Sequence, residues 1–156
     1  MEFYSTFDIE KILKIKRTRL QEWIKNFWIA PSRASGGRGL KASFTIEDLY
    51  AIQLFVELLN MNLERFAAAE ITHYVLGRQY KRQDERHVNW NTDYLNLVRL
   101  TPIEKDGEYP WRYTPTYGQP MVSHYFQGKG APGKVPFCQI IIRLRDIKEK
   151  VDRAIP

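Results

Sequence analysis

The chain has 156 residues, of which 44% are hydrophobic and 27% charged, a mixture typical of one globular domain or two very small ones. It contains no run approaching the roughly 18 apolar residues of a membrane span, its first residues lack the pattern of a secretory signal, and Cys138 is its one cysteine. These features exclude an internal disulfide framework, and we expect a cytoplasmic protein that needs no cofactor, metal or membrane.

The net charge of +6 is concentrated in one segment. Eight positive residues and one negative residue, Glu22, lie between positions 14 and 41, so this segment carries a charge of +7 and the rest of the chain is about neutral. Clustered positive charge is the electrostatic pattern of a surface that contacts phosphates. A solvated basic face is the alternative interpretation.

Two short helices are predicted first. The first begins near Thr6, with Ser5 or Thr6 as its N-cap, and a turn over residues 14–16 follows it. The second runs from about Arg17 to Asn26. Its apolar residues are spaced three and four apart, and its other face is polar and basic. The apolar residues are Leu20, Trp23, Ile24 and Phe27, and the polar ones are Arg17, Arg19, Gln21 and Lys25.

A basic loop and two more helices come next. Pro31 ends the second helical segment, and residues 32–39 are rich in glycine and arginine, which is typical of a flexible loop. Thr45 is the expected N-cap of a third helix, with Asp48 completing an imperfect capping box. The third and fourth helices are predicted over residues 45–59 and 63–78.

The character of the sequence changes after residue 87, where prolines and tyrosines become frequent. Strands are predicted at Tyr94–Leu100, Phe137–Leu144 and, more weakly, Met121–Phe126, and an amphipathic helix at Asp146–Ile155. Because the Phe137–Leu144 strand is nearly all apolar, we expect it to be buried on both faces. The predicted fold class is therefore α+β, with an all-α domain of about four helices over residues 1–80 and a small α+β module over residues 88–156.

The order of helix, turn, helix, basic loop and helix indicates a DNA-binding domain. Two helices joined by a tight turn can place the second in the major groove, where side chains near its N-terminus reach base edges. We expect such contacts from Lys16, Arg17, Thr18, Arg19 and Gln21, with Lys25 further along the same helix. The loop would act as a wing that reaches the DNA backbone through Arg33, Arg38 and Lys41. A helical bundle with a solubilising basic surface is the alternative.

Several short stretches of this segment occur in a recognisable order. They are Phe3-Tyr4-Ser5-Thr6, Ile15-Lys16-Arg17-Thr18-Arg19-Leu20-Gln21-Glu22-Trp23, Trp28-Ile29-Ala30-Pro31-Ser32-Arg33, Arg38-Gly39-Leu40-Lys41-Ala42-Ser43-Phe44-Thr45 and Leu54-Phe55-Val56-Glu57-Leu58-Leu59. Together they resemble the winged helix-turn-helix domain of the MerR family, over residues 3–70. The resemblance implies a homodimer that binds an inverted-repeat operator in double-stranded DNA and regulates transcription.

Three features depart from the pattern of that family. Phe27 and Met61 stand where glycine is usual, and we expect the second helix to be capped in another way. The helical pattern after Glu70 is too short for the usual long dimerisation helix. We therefore expect any dimer to form by a route other than a long coiled coil.

The back half offers two candidate sites. Residues 128–134 match the glycine and lysine spacing of a phosphate-binding loop, but Val135 replaces the required serine or threonine, so we interpret them as a turn. A group of aromatic residues either lines a pocket for a small-molecule effector or forms an ordinary core. This group is Tyr109, Trp111, Tyr113 and Tyr125. No nucleophile, base and orienting acid can be assembled, so we do not expect an enzyme.

The sequence thus predicts a sequence-specific transcriptional regulator of the MerR type. One alternative is an architectural, excisionase-like DNA-binding factor of a mobile element. The other is a protein-interaction module that does not bind DNA.

Overall fold

The computed structural model describes residues 2–33, 41–77, 88–101, 111–116 and 135–156, with 100, 101, 111–116 and 135–137 described by their backbone. The fold is α+β, which confirms the predicted class. The chain divides into two compact units, Met1–His87 together with Ile147–Pro156, and Val88–Asp146. The sequence-based division assigned the last helix to the back half, whereas the residues from Ile147 onward cluster with the first unit.

Most elements of the first unit lie within a few residues of their predicted positions. Its helices are α1 (Thr6–Leu13), α2 (Arg17–Lys25), α3 (Ile46–Asn60) and α4 (Arg65–Val75), and α5 (Leu144–Asp152) contributes its residues from Ile147. Two short strands were not predicted, β1 (Tyr4–Ser5) and β2 (Ser43–Phe44). They pair in antiparallel fashion, so the residues preceding α1 and α3 lie side by side.

Reciprocal capping fixes the starts of α1 and α3. The Ser5 backbone N–H donates to the Asp8 carboxylate at 2.8 Å, and the Asp8 backbone N–H donates to Ser5 Oγ at 3.3 Å. Thr45 and Asp48 make the same two bonds at 2.8 and 3.3 Å, so the box predicted as imperfect is complete. The hydrogen bonds from the Ser5 side chain and backbone hold the pKa of Asp8 below its usual value.

The end of α2 contains a strained residue. The N–H groups of Phe27 and Trp28 donate to the carbonyls of Ile24 and Trp23 at 3.1 and 3.0 Å, which is a Schellman arrangement with Phe27 in the left-handed region at φ 57°. The expectation of a different cap is therefore wrong, because Phe27 adopts the conformation that a glycine would. Its ring is 83% exposed, so burial does not offset the strain.

We expect Phe27→Gly to raise the free energy of unfolding by about 0.5–1 kcal/mol, because the left-handed strain it relieves exceeds the added entropy of the unfolded chain. Asn62→Gly is the matched control: Asn62 occupies the same position after α3, at φ 62°, but asparagine tolerates this conformation. Urea unfolding of both variants measures the difference. A loss of stability in Phe27→Gly would mean that the ring makes contacts worth more than its strain.

Helix α3 forms the centre of the first unit. Its residues from Asp48 to Phe55 are all buried, so the helix is covered around its whole circumference. The ring of Trp23 from α2 packs edge-on against Phe55, with centroids 4.9 Å apart. The Tyr50 hydroxyl donates to Asp152 at 2.7 Å, and Lys150 pairs with Glu57. Burial and the hydrogen bond to Asp152 raise the pKa of Tyr50 above its ordinary value.

The second unit contains a three-stranded antiparallel sheet in the order β4-β3-β5. Its strands are β3 (Tyr94–Thr101), β4 (Trp111–Thr116) and β5 (Val135–Arg143), of which β4 was not predicted and the other two confirm predicted strands. The expectation that β5 is buried on both faces is wrong, because Ile141 is 42% exposed. Burial on both faces belongs to the central strand β3, from Leu95 to Val98. The strand predicted at Met121–Phe126 lies outside the described residues.

None of the helices in the described part of the chain is both long and apolar enough to cross a membrane.

Candidate nucleic-acid interface

The packing of α2 determines which of its side chains face outward. Leu20 and Trp23 are buried on one face, whereas the other α2 side chains are exposed, apart from the half-buried Ile24. All six α2 residues predicted to contact DNA lie on the exposed surface. They are Lys16, at the N-cap, and Arg17, Thr18, Arg19, Gln21 and Lys25.

Part of this face borders a surface depression of about 550 Å³. Arg17, Gln21 and Lys25 line it from α2, and the first residues of α1 line it from the other side, including the exposed ring of Phe7. Lys41, which precedes β2, completes the rim. Of the described residues that line this basic depression, three are cationic and none is acidic. The structure therefore brings together four of the predicted contact residues, drawn from two separate segments.

The ends of the predicted wing are held next to each other. Arg33 and Ser43 exchange two backbone hydrogen bonds of 3.1 Å, so an antiparallel bridge extends the pairing of β1 and β2 to residue 33. The Arg33 guanidinium lies 4.1 Å from the centroid of the Phe3 ring. Arg33 does not line the basic depression. Arg38 lies outside the described residues.

Asp48 holds the entry to this segment in place. Its buried carboxylate accepts the backbone N–H of Thr45 at 2.8 Å and that of Ser32 at 3.1 Å. One side chain thus joins the start of α3 to the chain just after Pro31. The geometry of the residues leading into the predicted wing depends on it.

We expect Asp48→Ala to lower the free energy of unfolding by about 2–3 kcal/mol, because two backbone donors lose their acceptor in a buried place. Asp8→Ala is the matched control, since it removes the other capping box at a less buried site, and we expect a loss of about 1 kcal/mol. Thermal and urea unfolding of the two variants measure the difference. Equal losses would contradict the special role of the bond to Ser32.

Two residues that the sequence reasoning did not single out surround Arg17. Glu10 of α1 accepts the Arg17 backbone N–H at 3.2 Å and forms an ion pair with Arg17 Nε at 3.0 Å. Phe7 has the Lys11 ammonium 4.3 Å and the Arg17 guanidinium 5.8 Å from its ring centroid. No spacing rule would have found them, because their proximity depends on the turn between α1 and α2, where Lys14 has a left-handed backbone at φ 57°.

The aromatic residues predicted to line an effector pocket are only partly described. Trp111 and Tyr113 lie in β4, where their backbones pair with Arg99 and Leu97 of β3. Tyr109 and Tyr125 lie outside the described residues. The choice between an effector pocket and a core therefore remains a prediction.

His73 contacts the Phe27 carbonyl through Nε2 at 3.0 Å, which links α4 to the end of α2. Within the described ranges, no group of histidine, cysteine, aspartate and glutamate side chains is arranged to hold a metal ion.

No protein-family model matches this chain, and none of the curated proteins is significantly similar to it.

Proposed function

We propose that this chain is a cytoplasmic, sequence-specific DNA-binding protein of the MerR kind that regulates transcription, with α2 as its recognition helix. The observation that carries the proposal is the basic depression. Arg17, Gln21 and Lys25 on the exposed face of α2 lie beside Lys41, with no acidic residue among the described residues of the lining. This combination of cations with a base-reading amide suits a surface that meets both phosphates and base edges.

The pairing of β1, β2 and Arg33 supports the assignment of residues 33–43 as a wing. In a winged helix-turn-helix domain the wing is a strand-supported loop beside the recognition helix, and the bridge between Arg33 and Ser43 joins the two ends of such a loop. Lys41, at the end of that loop, lines the same depression as α2. The cations of this segment would contact the DNA backbone while α2 occupies the major groove.

In this proposal two copies bind the two halves of an inverted repeat, and occupancy or bending of the operator gives the regulatory output. Arg17, Arg19 and Gln21 carry base discrimination, since arginine can bond guanine and glutamine adenine with two hydrogen bonds each. The α+β module provides the place where an effector would act.

The deciding experiment is fluorescence anisotropy on random-sequence duplexes at two salt concentrations, followed by selection and sequencing of the bound fraction. We expect salt-dependent binding and enrichment of an inverted repeat. Salt-dependent binding without an enriched motif would favour the architectural, excisionase-like function. If no duplex binds even at low salt, the proposal fails and the protein-interaction function becomes the one to test.

We expect Lys41→Ala to weaken binding to all sequences alike and to flatten the slope of log K against log salt by about one unit, because one phosphate contact is lost. Arg153→Ala is the control, since it removes an exposed cation that does not line the depression. Titrations on one duplex at four salt concentrations give the slopes. A change of base preference in Lys41→Ala would contradict its assignment to the backbone.

A further inference from the structure

Glu10 makes two bonds to the same residue of the neighbouring helix. One carboxylate oxygen accepts the Arg17 backbone N–H at 3.2 Å, and the other pairs with Nε of the Arg17 guanidinium at 3.0 Å. Helix α2 has no side-chain cap of its own, since the Lys16 side chain makes no capping bond and no acidic residue stands in the first turn. Glu10 therefore caps α2 from α1 and, with the same group, fixes the first side chain of α2.

The Phe7 ring limits the position of Arg17 from a second direction. The guanidinium carbon lies 5.8 Å from the ring centroid, within the range of a cation–π contact. Phe7 itself borders the basic depression next to Arg17 and Gln21. The half-exposed Arg17 side chain is thus restrained by a carboxylate and an aromatic face before a ligand binds. Less side-chain entropy is therefore lost on binding.

The ion pair with Glu10 occupies Nε of Arg17 and so limits which of its nitrogen atoms can bind another partner. With Nε paired to the carboxylate, the two terminal amino groups Nη1 and Nη2 remain as a fork that points along the side chain. Such a fork matches the neutral acceptors O6 and N7 of guanine with two hydrogen bonds. A phosphate would be attracted less strongly at this place, because the Glu10 carboxylate beside it repels negative charge.

We propose that Glu10, assisted by Phe7, is a positioning residue that makes Arg17 a reader of guanine rather than a phosphate contact. This inference rests on the proposed DNA-binding function and assigns one base of the operator to one residue pair. The inference also predicts that the Glu10 carboxylate increases the specificity for the operator, although the same carboxylate lowers the affinity for DNA in general.

The test uses the full chain, the operator obtained by selection and a scrambled duplex of equal length. Glu10→Ala removes both bonds to Arg17. Glu22→Ala is the matched control, because it removes an equally charged, exposed carboxylate of α2, whose ion-pair partner is Arg65, at 3.6 Å. Arg17→Lys keeps the positive charge and removes the fork. Thermal unfolding of each variant is compared with that of the wild type, since Glu10 also caps α2.

We expect Glu10→Ala and Glu22→Ala to bind the scrambled duplex equally well. The ratio of operator to scrambled affinity should fall about tenfold in Glu10→Ala and Arg17→Lys and stay unchanged in Glu22→Ala. Repeated selection should show that Glu10→Ala and Arg17→Lys lose the preference for guanine at the same operator position, an effect that a loss of stability alone does not produce.

Two outcomes would overturn the inference while the proposed function stands. They are an unchanged ratio in Glu10→Ala and an unchanged ratio in Arg17→Lys. Salt-dependent binding of the wild type without any base preference would overturn the inference and would favour the architectural function over sequence-specific regulation. Absence of duplex binding by the wild type at low salt would overturn the proposed function and this inference together.

Discussion

The double variant Arg17→Glu, Arg19→Glu should lose DNA affinity on the order of 100-fold or more at low salt. Both side chains are exposed at the start of α2, and Arg17 lines the basic depression. Reversal removes two attractive charges and places two repulsive ones where the proposed complex brings phosphates and base edges. Anisotropy titrations on the selected operator measure the loss.

The control is Arg145→Glu, Arg153→Glu, which changes the net charge by the same amount at two exposed positions, one in α5 and one just after it. We expect its affinity to fall far less, by the general effect of net charge alone. Thermal unfolding of both double variants checks that each is folded under the titration conditions, because Arg17→Glu breaks the ion pair with Glu10 and Arg153→Glu breaks the ion pair with Glu149. Equal loss of affinity in both would show that binding follows total charge and does not depend on α2.

The helices of the first unit could be predicted because their signals are local. The side chains that cap α1 and α3 stand three residues from the backbone groups they bond, as in Ser5 with Asp8 and Thr45 with Asp48. The apolar spacing of Leu20 and Trp23 likewise needs only the helical period. These features involve residues within one or two helical turns of each other, so they can be predicted without knowledge of the tertiary structure.

The short strands could not be predicted, because each depends on a pairing partner that is distant in sequence. Tyr4 pairs with Phe44, and two-residue strands are too short to show an alternating pattern. In β4, Pro115 interrupts the strand signal. A proline is compatible with this strand because, among the described strands, β4 lies at the edge of the sheet, where one side of its backbone has no strand partner.

The candidate site shows the same division. The residue types on α2 and their exposure follow from the helical pattern, and so does the basic character of the surface. The contacts of Arg17 with Glu10 and Phe7 do not, because they depend on the angle between two helices joined by a turn with one left-handed residue, Lys14. The sequence shows only that Glu10 stands seven positions before Arg17. That the two form an ion pair cannot be predicted until the angle between α1 and α2 is known.

The packing partner of the last helix could not be predicted from the sequence either. The spacing of Ile147 and Val151 indicates that one face of α5 is buried, but an amphipathic pattern does not say against what. In the structure this part of α5 belongs to the first unit, with Tyr50 and Glu57 of α3 bonded to Asp152 and Lys150.

Val151→Asp should therefore unfold or strongly destabilise the first unit, with a loss of about 4 kcal/mol or more in the free energy of unfolding. Val151 is fully buried, and a carboxylate in its place either stays charged without a partner or must take up a proton. Urea unfolding followed by tryptophan fluorescence reports the loss, because Trp23 lies in the core of this unit.

Arg153→Asp is the control, since it places the same side chain two residues later, where the arginine it replaces is 77% exposed, and we expect it to cost less than about 1 kcal/mol. If Val151→Asp were as stable as this control, residues 1–87 would fold without the last helix. The expected result instead makes the last residues of the chain part of the proposed DNA-binding unit. Because Tyr50 and Glu57 of α3 bond to Asp152 and Lys150, we expect DNA binding to be lost in Val151→Asp at the same urea concentration as the fold.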